Sequence, residues 1–349
     1  MREHHKLLLA TSRTFAIGID ALPSPLRDGV TLAYLVLRVA DYFEDSPSLP
    51  PDRKREALDL WAELIDRSSG GSDAEGTARR LGELREAVSE TDRDMPDRLA
   101  ALEAGMILDG LLRLPPVFLG PIREHTAGTT RGMARWIMKG ADFPDEAALD
   151  DYMFEVAGRV GLLLTELFAA HSPAVGARRK ELMESAVSFG LGLQTVNVIR
   201  GLHEDPDRGW NYVPRHVLPS PAGSPARVAD PRALGTEGQL RALDFLVGKA
   251  GSHIGDALAY CRSIPRRERG IRVFCIIPAL LALRTAEASR GNPRTFLEPV
   301  KVGRDDVRRL VLSARLLYFS NRWIAGEERR ARSLARAPNG PRPTRDRSG

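Results

Sequence analysis

The chain has 349 residues, 43% of them hydrophobic, enough apolar material for one large core or two modest ones. Its formal charge of +5 is concentrated near the end, where residues 326–349 hold seven arginines against three acids, so the body is close to neutral and lacks the basic stripe of a nucleic-acid binder. The opening MREHHKLLLATSRTF carries too short an apolar run for a signal peptide, and no run of about 18 uncharged apolar residues occurs, which argues against a membrane-spanning helix and for a cytoplasmic protein.

In chain order, His4 and His5 are expected to face solvent. Apolar residues at three-and-four spacing predict helices over 30–43, 53–65, 152–170, 182–202, 240–259 and 307–323. Three stretches between them read as loops: RSSGGSDAEGT from Arg67, LPPVFLGP from Leu114, and PSPAGSPARVADPRALGTEG from Pro219. Strand-like alternation is nearly absent and no internal repeat occurs. The fold class expected is all-α, one domain over 1–335 whose helices surround an interior large enough for a ligand. The remaining residues, 336–349, are Pro, Arg and Ser with few apolar side chains and are expected to be a disordered basic tail. Cys261 and Cys275 sit inside apolar helical patterns, away from metal-ligand spacing, and read as buried free thiols. No Gly-x-Gly-x-x-Gly follows a strand, so nothing marks a nicotinamide site.

Two acidic clusters stand out. YLVLRVADYFED, residues 34–45, puts Asp41 and Asp45 four apart on one helix face with Glu44 beside them and Arg38 and Tyr34 one and two turns earlier. Such a pair can hold a hard divalent cation, above all Mg²⁺, although the same spacing also occurs on solvated helix ends. The second cluster lies in GLGLQTVNVIRGLHEDPDRGWNYVP, residues 190–214. Continued as one helix, it sets Gln194, Asn197, Gly201, Glu204 and Asp205 within an arc of about 100°. Polar groups on one stripe of an apolar helix are costly to bury unless paired or coordinated. Two such faces meeting across a cavity could bind a diphosphate through Mg²⁺, favouring ionisation of an allylic ester in a dry apolar pocket.

The motifs, in order, resemble those of the squalene/phytoene synthase family. SRTF at Ser12, YLVLRVADYFED, GMA at Gly132, Tyr152 with VAGRVG, GLQTVNVIR, RVFCIIPALLAL from Arg272, and NPRTF followed by VKVGR are each similar to a family segment, over roughly residues 12–307. The resemblance implies an isoprenoid synthase-type helical bundle around a central cavity. It further implies Mg²⁺ ligation by Asp41, Glu44, Asp45, Asn197, Glu204 and Asp205, and diphosphate binding by Ser12, Arg13, Tyr34, Arg38, Gln194 and Arg200. Asp41, Asp45, Tyr152 and Asp205 take the catalytic positions. The family's second motif reads Asn-x-x-Arg-Asp-x-x-Glu-Asp, and here Gly201 stands at its first aspartate. His203 is either a substitute ligand or an ordinary hydrogen-bonded histidine.

The loss at position 201 suggests an enzyme that ionises a single prenyl diphosphate. The expectation is a Mg²⁺-dependent prenyltransferase acting on an allylic prenyl diphosphate and a small-molecule, aromatic acceptor, with Gly201 opening room for that acceptor. The alternative is head-to-head condensation of two prenyl diphosphates, as in squalene, dehydrosqualene or phytoene synthases. A third reading, from another class, is an inactive isoprenoid-binding helical protein. Trp210 and Tyr212 read as packing or as the lip of the pocket.

Overall fold

A computed structural model describes residues 1–68, 73–140, 142–218 and 230–336; the side chains of Arg13 and Thr14 and the basic tail beyond 336 lie outside the described residues. α1 (Arg2–Thr11) turns at Ser12, whose hydroxyl accepts the Phe15 amide at 3.2 Å, into α2 (Arg13–Ile19). α3 (Leu26–Asp45) buries Leu32, Leu35, Val36, Val39 and Phe43 and leaves Tyr34, Arg38 and Asp41 on its other side. α4 (Pro51–Arg67) is fixed to α3 by the Trp61 indole, which donates to the Val36 carbonyl at 3.0 Å. The shorter α5 (Ala74–Glu86) packs on α4, α6 (Arg98–Leu102) and α7 (Ala104–Leu111) pack on α3, and the chain leads on to α8 (Pro116–Lys139), which packs along α4.

The second half is built around one helix. α9 (Glu146–Met153) passes through a π-helical turn, Phe154–Gly158, into α10 (Arg159–His171) and the single turn α11 (Pro173–Gly176). α12 (Arg179–Gly201) follows and is packed by α10, α13 (Thr236–Ser263) and α14 (Arg269–Ser289). Being surrounded, α12 buries residues all round its circumference, from Leu182 to Ile199. α15 (Arg304–Leu317) and α16 (Asn321–Arg336) close the chain against α14 and α13. No strand occurs among the described residues, where the one β-type pairing is an isolated bridge between Asp142 and Asn211. The all-α class is therefore as expected.

Several local expectations change. LPPVFLGP is helical from Pro116, because a proline at the first helical position loses no hydrogen bond and Phe118 and Ile122 can then be buried. The run 307–323 is two helices. Fully buried Arg272 donates to the Tyr318 carbonyl at 2.7 Å and to Asn321 Oδ1 at 2.7 Å, holding the break open. Arg336, the first residue of the expected tail, belongs to α16. His4 is buried, with Nε2 against the Met106 carbonyl at 3.0 Å, because its face of α1 lies on α7; His5 pairs with Asp20 at 2.8 Å. Cys261 and Cys275 are buried free thiols.

Candidate active site

α3 ends in Asp41, Glu44 and Asp45, with no basic residue in its last turn. Carboxylates at a helix C-terminus oppose the macrodipole, so this end needs cations from elsewhere. Arg38 supplies one, 2.8 Å from Asp41 Oδ2 and 2.6 Å, through Nε, from Asp97 Oδ1. Lys54 Nζ reaches the Glu44 carbonyl at 2.7 Å. Charge still accumulates. Burial, with Asp97 and Asp45 nearby, pushes Asp41 up to about 7 despite Arg38. Burial and the neighbouring Asp45 and Asp41 also raise Glu44 well above the carboxylate range. Asp92 secures this helix end, accepting from Ser46 at 2.5 Å and Tyr42 at 3.1 Å.

The second cluster does not continue α12 as a helix. α12 ends at Gly201, and Glu204 and Asp205 follow in a turn that starts a short 3₁₀ segment, Asp205–Arg208. Pro206 explains the break, since it lacks an amide hydrogen and disfavours helical backbone at the residue before it. Gln194 and Asn197 remain on the helix, their amides 3.4 Å apart. Glu204 is left largely exposed, whereas Asp205 is buried and folds back over the helix end. A Cβ built on Gly201 would lie 1.9 Å from Asp205 Oδ2. Gly201 therefore opens no room for an aromatic acceptor: the Asp205 carboxylate fills that volume. Burial raises Asp205 to about 6, against the pull of Arg208, which pairs with it. The same guanidinium reaches Asp45 Oδ1 at 2.7 Å and so ties the two clusters together. His203 bonds the Arg200 carbonyl through Nδ1 at 2.8 Å.

Beneath the acids lies an aromatic floor. The Tyr152 hydroxyl donates to Glu44 Oε1 at 3.4 Å and lies 3.2 Å from the Tyr212 hydroxyl. Its ring meets those of Trp136, Phe143, Trp210 and Tyr212 at centroid distances of 5.4–5.7 Å. Tyr212 and Trp210 stack at 5.6 Å; Trp210 packs, and Tyr212 lines the pocket from its floor rather than its lip. Burial keeps both phenols protonated far above neutral pH. Above this floor opens a cavity of about 520 Å³. Asp41, Glu44, Asp45, Gln194, Asn197, Arg200, Glu204 and Asp205 all line it, as do Tyr34, Arg38 and Tyr152. Its deeper wall is apolar, formed by Val160, Leu164, Phe189, Leu193, Phe274 and Pro278. Ser12 is not among the residues lining the cavity, and the Arg13 side chain is outside the described residues.

Among the described residues no three Asp, Glu, His or Cys side chains converge closely enough to hold a metal ion by themselves. The donors facing the cavity are nonetheless hard oxygens, and burial, helped by neighbouring carboxylates, raises the proton affinity of Asp41, Glu44 and Asp205. That set suits a divalent cation completing its shell with diphosphate oxygens and water. Sequence reasoning missed Arg208, Lys54 and Asp97. A basic residue three positions after Asp205 was the available signal for Arg208, but its reach back to Asp45 depends on the turn at Pro206.

The squalene/phytoene synthase family model matches residues 8–315. Squalene synthase of Schizosaccharomyces pombe is 30% identical over 326 residues, which cover 89% of this chain and 64% of that protein, so the chain spans somewhat under two thirds of that relative's length. A solved structure of TcSQS with a ligand superposes with TM-score 0.72 over 96% of both chains at 23% identity. Squalene synthase HpnC from Alicyclobacillus acidocaldarius gives TM-score 0.55 at 19% identity, covering 86% of this chain and 95% of its own. At those identities the two structures speak for a shared helical fold. The family match over nearly the whole length makes this chain a member of the squalene/phytoene synthase family.

Proposed function

We propose that the protein is a Mg²⁺-dependent prenyltransferase that condenses two allylic prenyl diphosphates head to head, in the manner its squalene synthase relatives are named for. One observation carries the reading: a single cavity is lined both by the two acidic clusters and by the apolar side chains of Val160, Leu164, Phe189, Leu193, Phe274 and Pro278. The rim suits a diphosphate and the wall suits a prenyl chain, which gains roughly 25 cal/mol for each Å² of apolar surface removed from water. The acceptor is a second prenyl diphosphate. The aromatic-acceptor expectation, drawn from the missing aspartate at position 201, also supposed room there for the acceptor, and Asp205 occupies that room.

Asp41 and Asp45, with Glu44, Asn197, Glu204 and Asp205 in reach, are the residues that would hold Mg²⁺. When bound, Mg²⁺ neutralises the diphosphate and stabilises it as a leaving group. Arg38, Arg200 and Arg208 add fixed positive charge at the same rim. The apolar wall keeps water from the allylic cation left when the C–O bond breaks. The faces of Tyr152 and Tyr212 offer that cation a π surface, and Tyr152 keeps its proton on Oη, directed at Glu44.

The test is incubation of the purified chain with Mg²⁺ and farnesyl or geranylgeranyl diphosphate as the sole organic substrate. The expected product is a carbon–carbon-joined prenyl dimer or its cyclopropyl diphosphate precursor, with pyrophosphate released. Pyrophosphate accompanied only by prenyl alcohols would sink the condensation.

A further inference from the structure

Arg208 joins two carboxylates that belong to different clusters. Its Nη1 lies 2.7 Å from Asp45 Oδ1 on α3, and its Nη2 pairs with Asp205 Oδ1 beyond α12. Both acids line the cavity with it. Asp205 can take this position because residue 201 has no side chain: the Asp205 carboxylate lies where a Cβ would be, at 1.9 Å. Gly201 and Arg208 thus act together. One vacates the space and the other holds the carboxylate in it. The last five residues of α3 hold three acids and no base, so the guanidinium also meets a standing need for positive charge there. Unlike a metal ion, it is covalently fixed and never loses its proton at accessible pH, and two of its five N–H donors suffice for these carboxylates.

We propose that Arg208 is a resident cation of the diphosphate site, standing between Asp45 and Asp205 where a divalent ion would otherwise bind, so that this chain loads fewer divalent ions per diphosphate than its count of acidic residues suggests. The inference rests on the diphosphate chemistry proposed above. It makes Arg208 a positioning residue for the leaving group, with N–H donors left to face the cavity.

The measurement is the number of Mn²⁺ ions bound per chain at saturation, by equilibrium dialysis with inorganic pyrophosphate. The unaltered chain is compared with R208K, R208A, R208Q and G201D/R208A, each checked by circular dichroism and thermal melting. R208K keeps the cation and is expected to bind as many ions as the unaltered chain. R208A is expected to bind one more, and G201D/R208A to hold that ion about tenfold more tightly because a second carboxylate is restored. Where R208A fails to fold, R208Q, closer in shape, takes its place. Equal numbers of ions in R208A and the unaltered chain, even with tighter binding, would make Arg208 a displaceable gate and overturn the proposal. Fewer ions in R208A would overturn it as well. No Mn²⁺ uptake by the unaltered chain with pyrophosphate would bring down the diphosphate reading itself, a result distinct from either.

Discussion

Asp41 and Asp45 can be tested by changing one oxygen to nitrogen. Asn keeps the shape of each side chain but removes the charge that a hard cation requires, so D41N and D45N are each expected to lower kcat/KM by about 100-fold or more while leaving the melting temperature within a few degrees. A loss shared equally by a D59N control, a half-exposed carboxylate on α4, would count against a special role for the pair. These two residues were legible because they lie on an uninterrupted helix, where four positions apart means one face. Asp205 was legible as an acid but not as a position. Its carboxylate points back over Gly201 because Pro206 ends the helix, and the helical arc drawn through it does not exist. Arg208 was invisible for the same reason. Its two partners are 3 and 163 residues away, and no local spacing foretells the second.

At the level of elements, the closest approach in the molecule's centre is between α10 with its π-helical turn and α12. A Cβ on Gly161 would lie 1.9 Å from the Ala186 carbonyl oxygen, and one on Gly190 would lie 2.0 Å from that of Ala157. The obstacles are backbone, which cannot rotate aside. G190A is therefore expected to cost about 1–3 kcal/mol or more, read as a lower midpoint in urea at unchanged slope. A midpoint within error of the unaltered chain would mean that the helices part freely. Helices with one clear apolar stripe, such as α3, α4 and α13, were predicted within a few residues of their ends. The break between α15 and α16 was not, because the apolar period runs on through it. Arg272, far away in sequence, imposes it by bonding to the Tyr318 carbonyl and Asn321. His4 was misjudged on similar grounds, since its carbonyl partner belongs to Met106.

For the molecule as a whole, the acidic rim is a liability until something cationic arrives. Asp41 rises to about 7 and Asp205 to about 6, from an ordinary 3.8 in the open chain. The folded state thus holds these protons to higher pH than the unfolded state does. Their stabilising effect is complete below about pH 4 and is lost as pH climbs through about 6 and 7. In the metal-free protein the melting temperature is expected to decline between pH 5 and pH 8, and Mg²⁺ with pyrophosphate is expected to restore it at pH 8. The doubly neutralised D41N/D205N chain should show a shallower decline. An identical slope in that variant would assign the pH dependence to other groups.

The π-helical turn at Phe154–Gly158 has a consequence for how the pocket is phased. It stores one surplus residue between the stretch that carries Tyr152 and the stretch that carries Val160 and Leu164, letting both look inward. Removing Ala157 would regularise the coil at the expense of that phase, swinging the phenol by about 100° away from Glu44. The shortened chain is expected to remain helical by circular dichroism yet to bind prenyl diphosphates without turning them over. Retained turnover would mean that the tyrosine's bearing is immaterial.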